Sequence, residues 1–95
     1  MSDTKTLLVI ITETVLERAV IDKILALGAK GFTSSDARGL GTHGMRPGGW
    51  TEGGNVRIEV VGDEDLCERI VAALREEYDA DYGLLMYTAP VTLRN

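Results

Sequence analysis

The sequence predicts an α+β domain in the order strand, helix, strand, strand, helix, strand. Hydrophobic periodicity switches from two to 3.6 twice along the chain. Each switch is marked by helix-boundary residues, and one glycine-rich tract separates the two halves. At 95 residues the chain is read as a single domain over 1–95. A domain this small buries a limited fraction of its surface, so self-association is expected.

The first strand is Lys5 to Thr12, KTLLVIIT, a short β-branched run suited to burial on both faces. From Thr14 the spacing becomes helical. Leu16, Ala19, Val20, Ile24 and Leu27 form the inner stripe, with Glu17, Arg18 and Asp22 on other faces. Thr14 and Glu17 have capping-box spacing, and Gly28 supplies the stop. The next strand is KGFTSSDAR, with Phe32 packed inward and Thr33 and Ser35 on the opposite face.

After the glycine tract, NVRIEVV alternates Val56, Ile58 and Val60 against Asn55, Arg57 and Glu59, a half-buried strand. Asp63 is a suitable N-cap for the second helix, whose inner stripe is Leu66, Cys67, Ile70, Val71, Leu74 and Tyr78. The last strand is YGLLMYTAPV, which Pro90 restricts to an edge or a strand end. Right-handed crossovers then put both helices on one face of a four-stranded sheet, a ferredoxin-like sandwich. Because LLVII and LLMY are apolar on both faces, the open side is expected to be covered by another copy of the chain.

Hydrophobic residues make up 44% and charged residues 26%, the balance of a globular domain. A net charge of −5 argues against nucleic acid as a partner. No apolar run reaches the roughly 20 residues of a membrane helix, so no membrane insertion is expected. The start of the chain lacks a signal-peptide pattern, and the single Cys67 excludes an internal disulfide. A cytoplasmic location is predicted.

The loop between the second and third strands is about 16 residues, where hairpins use about 2 to 5. It holds seven glycines from Gly39 to Gly54. Gly39-Leu40-Gly41-Thr42-His43-Gly44 fits the dinucleotide spacing, but MRPGGW after it cannot open the required helix. A strand-loop-strand glycine motif can instead hold phosphate through bare backbone N–H groups. Thr42 adds a hydroxyl, while Arg46 and Arg38 add guanidinium forks. Both arginines could alternatively pair with Glu52 and Asp36. His43 is the only histidine, and no metal site is predicted. Nor is catalysis, because one His and one Cys on different elements do not assemble a nucleophile with its base. Trp50 is either a partner anchor or a residue folded back on the domain.

GFTSSDARGLGTHG resembles the segment of the PII signalling superfamily that ends the second strand and starts its long T-loop, with Gly31, Thr33, Gly39 and Gly41 in register. The shorter PII-like proteins associated with carboxysomes and bicarbonate transport are similar in their glycine-hydroxyl start and following arginine, here Gly41-Thr42 and Arg46. This resemblance implies a homotrimer with a T-loop over residues 38–54 and adenine nucleotides (ADP, AMP or ATP) in clefts between subunits. Carried over by position, Thr33, Asp36, Arg38, Gly39, Gly41, Thr42, Arg46 and Gly83 bind nucleotide, and His43, Arg46 and Glu59 are candidates for bicarbonate. It further implies signalling to a transporter or carboxysome component through loop ordering, with no catalytic cofactor. Arg94 is placed near a phosphate by the same likeness. The structural alternative is a copper-tolerance-type trimer of the same architecture, acting as a metal-binding or scaffold protein without nucleotide.

Overall fold

The computed structural model describes residues 3–39, 54–78 and 83–95. Four strands and two helices run in the order β1 (Asp3–Glu13), α1 (Glu17–Ala26), β2 (Thr33–Ala37), β3 (Asn55–Gly62), α2 (Glu64–Tyr78) and β4 (Leu85–Leu93). The sheet order is β2-β3-β1-β4, with every neighbouring pair antiparallel. This is the ferredoxin-like βαββαβ arrangement that the alternating periods predict.

The core lies between the sheet and the helices. Leu8, Ile10, Val56, Ile58 and Val60 of the central strands meet Val20 and Ile24 of α1 and Cys67, Ile70 and Leu74 of α2, all at 1% exposure or less. Burying each large aliphatic side chain contributes about 1.5–3 kcal/mol relative to leaving it in water. Lys23 Nζ bridges to Glu77 at 3.0 Å and joins the two helices on their outer side. The lysine holds the Glu77 carboxyl below its ordinary range through their hydrogen bond.

Helix α1 departs from expectation at its start. A 3₁₀ turn over Thr14–Leu16 precedes it, and Leu16, with no capping side chain, takes the N-cap position. The Thr14–Glu17 capping box therefore does not form. Glu17 instead accepts a 2.6 Å hydrogen bond from the Ser34 hydroxyl of β2. Leu16, Val20, Ile24 and Leu27 still pack on the core at the expected spacing, whereas Ala19, at the margin of that stripe, is exposed.

The end of α1 follows the glycine-stop expectation. Gly28 has φ +115, its N–H bonds to the Leu25 carbonyl at 3.1 Å, and Ala29 N–H reaches the Ile24 carbonyl at 3.0 Å. These are the paired bonds of a Schellman motif. Phe32 corrects the reading of the next segment: β2 begins only at Thr33, and the ring before it is 42% exposed instead of packed inward.

On β3 the alternation holds for Val56, Ile58 and Val60, but Asn55 is buried as well. It lies where the strand leaves the loop, paired with Ala37 and Glu13. Pro90 sits in the edge strand β4 opposite Thr6, as its missing N–H requires. Among the described residues no helix is long and apolar enough to cross a membrane.

Candidate functional site

The described candidate residues are spread along the β2–β3 side of the sheet and before β4, on both of its faces. Ala37 of β2 pairs with Asn55 of β3, which pairs with Glu13 of β1, so the strands that bear the loop meet β1 in one row. Arg38 and Gly39 leave this row, both exposed. Gly54, with φ +65, brings the chain back and its carbonyl accepts the Thr14 N–H at 3.2 Å. The base of the loop is thus fastened to the turn that opens α1.

Gly83 stands at the same end of the sheet, two residues before Leu85, which pairs with Ile11. It precedes the opposite edge strand, however. With strands about 4.8 Å apart, β2 and β4 are separated by roughly 14 Å, so Gly83 and Arg38 lie at opposite edges of one chain. Within a single chain they do not line one site.

Two candidates do come together. Thr33 and Glu59 are a direct cross-strand pair on the face that carries no helix, and Ser35 opposes Arg57 one step along. Asp36 opposes Val56 and belongs to the helix-bearing face, so the sheet separates its side chain from Thr33. The candidates Gly41, Thr42, His43 and Arg46, together with Trp50, lie outside the described residues.

Electrostatics on the open face centre on Arg57. Its Nε donates to Glu59 Oε2 at 2.8 Å, and Nη1 donates to the Tyr87 hydroxyl at 3.3 Å. The Glu59 hydrogen bond, above all, holds the guanidinium more firmly protonated than usual. Glu59 is therefore charge-compensated and half-buried, which lessens its repulsion of an anion nearby. Sequence reasoning placed Arg57 and Glu59 on one face but missed their pairing. Period-two alternation with opposite charges two residues apart was the available signal.

A groove of about 400 Å³ lies elsewhere, between α2 and β4, lined by Cys67, Val71, Ala72, Arg75, Met86 and Thr88. None of the candidates among the described residues lines it. Burial pushes the Cys67 thiol upward, and its Sγ donates weakly to the Thr6 carbonyl at 3.8 Å. Among the described residues, no three His, Cys, Asp or Glu side chains stand close enough together to hold a metal ion.

The sequence profile described as nitrogen regulatory protein P-II matches residues 5–93. A Thermus thermophilus protein described as a PII-like signalling protein is similar to the chain at 34% identity, with a TM-score of 0.81 over 97% of this chain and 90% of that one. CPII from Thiomonas intermedia, a nitrogen regulatory PII-like protein bound to ADP, AMP and bicarbonate, shares the fold at 20% identity and a TM-score of 0.83, covering 100% and 92%. A DUF3240-family protein of Shewanella baltica shares it at 17% identity and a TM-score of 0.75, covering 98% and 96%. No curated protein matches the chain.

Proposed function

The chain belongs to the nitrogen regulatory protein P-II family, whose members are non-catalytic signalling regulators, and from that premise we propose that it senses an adenine nucleotide together with a small anion. ADP or AMP is the favoured ligand, ATP a further one, and bicarbonate the anion. The cleft lies between copies of a homotrimer. Residues 38–54 act as the T-loop, whose ordering on ligand binding is read by a partner in inorganic-carbon metabolism, a bicarbonate transporter or a carboxysome component.

The observation that carries this reading is the division of the candidates between opposite edges of one sheet. Thr33, Arg38 and Gly39 stand at the β2 edge, and Gly83 stands before β4, three strand spacings away. A cyclic assembly can set the β2 edge of one copy against the β4 edge of the next and complete a site that neither copy holds alone. Gly41, Thr42 and Arg46 would then close over the phosphates, with His43 and Glu59 near the anion. Support for the ligand class comes from CPII, which shares the fold and was bound to ADP, AMP and bicarbonate.

Nucleotide and anion would each lessen the entropy still to be lost when the other binds, giving positive coupling without chemistry. Calorimetric titration with ADP, AMP, ATP and cyclic AMP, each with and without bicarbonate, tests the proposal. It expects saturable adenylate binding that tightens in bicarbonate. Absence of heat and of any thermal shift with all four nucleotides would overturn it.

A further inference from the structure

Among the described residues no helix covers the open face of the sheet, yet Val9 at its centre has 0% exposure. Its roof is polar. Glu59 and Tyr87 are the two cross-strand partners of Val9, on β3 and β4 respectively. Arg57, one step along β3, is held by both of them at 2.8 and 3.3 Å. Because β1 lies between β3 and β4, two strand spacings or about 10 Å apart, the Arg57 and Tyr87 side chains must reach toward each other over β1 to make this contact. The bridge thus runs across β1 beside Val9.

We propose that the clasp of Arg57, Glu59 and Tyr87 fixes the one orientation in which copies of this chain meet through the open face. The occupant of that face is a second copy, which rests on the assembly proposed above. Charge is the first argument. The chain carries a net charge of −5, and α2 exposes five acidic residues, Glu64, Asp65, Glu68, Glu76 and Glu77, against Arg69 and Arg75, so the helical side is net negative and copies repel one another across it. At the centre of the open face Arg57 and Glu59 cancel.

Self-complementarity is the second. A guanidinium has five N–H donors, of which two go to Glu59 and Tyr87, and a carboxylate accepts at two oxygens, of which Oε2 takes Arg57. The same patch therefore offers a like patch both donors and an acceptor. Around it Val61, Leu85 and Leu93 are 46%, 46% and 36% exposed, an apolar fringe with a polar centre. Apolar burial has no direction and would tolerate sliding or rotation of one copy on the next. A hydrogen-bonded ion pair at the centre permits few alignments, in the way that one buried polar residue sets the register of a coiled coil.

The test is the stoichiometry of assembly, measured by light scattering and sedimentation velocity on the wild type, the Arg57→Met/Glu59→Met double variant and Glu59→Gln. The wild type is expected to show one stoichiometry. The double variant, folded by circular dichroism, should still associate but as a mixture of at least two stoichiometries. Glu59→Gln leaves the Arg57 charge uncompensated and should weaken association at least tenfold. It decides the question if the double variant does not fold. If either folded variant assembles with the wild-type stoichiometry and affinity, the clasp has no such role and the proposed trimer stands. A wild type that stays monomeric at all concentrations removes the assembly itself.

Discussion

Replacing Gly28 with alanine isolates a backbone effect. A Cβ at this position would meet only Leu66 Cδ1, at 3.8 Å, which is ordinary van der Waals contact, so crowding contributes nothing. What remains is the backbone angle of φ +115, which a side chain rarely adopts. Holding a residue with a Cβ in left-handed geometry costs about 1–2 kcal/mol. The reduced freedom of the unfolded chain returns about 0.4–1 kcal/mol. The net loss should be about 1 kcal/mol, a fall of about 4–8 °C in Tm for a domain of this size. Gly31→Ala is the control: a Cβ there has nothing within 4 Å and no positive φ, so it should be neutral or stabilising by up to about 1 kcal/mol. Thermal and urea unfolding of both variants reads the difference. A Gly28→Ala protein as stable as the wild type would refute the argument that this angle, and not the packing, demands glycine.

Five further outcomes are expected. Leu74→Ala, which empties a fully buried site under α2, should destabilise by about 2–5 kcal/mol in urea unfolding. Cys67 should resist alkylation in the native protein and react readily in denaturant, because the thiol is buried at 1% exposure and its ionisation is suppressed. Glu77 has its pKa lowered by Lys23, so the stabilisation it brings is present above its ordinary value of 4.5 and is lost as the pH falls through the lowered one. Glu77→Gln should therefore lower Tm at pH 7 but leave it unchanged at a pH low enough to protonate the wild-type carboxyl. In the proposed site, Arg46→Ala should weaken ADP or bicarbonate binding about tenfold or more in calorimetry, the loss of a charge-assisted hydrogen bond. ADP with bicarbonate should likewise slow chymotryptic cleavage after Trp50.

The strand and helix order was legible because each element of this chain reports its own period. Val56, Ile58 and Val60 alternate, and Ile70, Leu74 and Tyr78 recur every four residues, so local pattern and tertiary burial agree. The misreadings fall where a distant partner competes with a local one. Thr14 and Glu17 have the spacing of a cap, but Glu17 is drawn to Ser34, 17 residues away, and a 3₁₀ turn takes the place of the first helical turn. Phe32 failed because the strand was begun at Lys30, three residues before the ladder, which starts at Thr33. For the site, the pairing of Thr33 with Glu59 and the separation of Asp36 from both depend on register, which the sequence does not state. The reach of Arg57 over Val9 to Tyr87 depends on sheet order as well.

Native mass spectrometry of the protein with ADP addresses the cleft between copies most directly, since it counts chains and nucleotides in the same particle. The account predicts a three-chain assembly carrying up to three ADP molecules, with the nucleotide lost when the assembly is dissociated into single chains. Single chains that bind and retain ADP would contradict it.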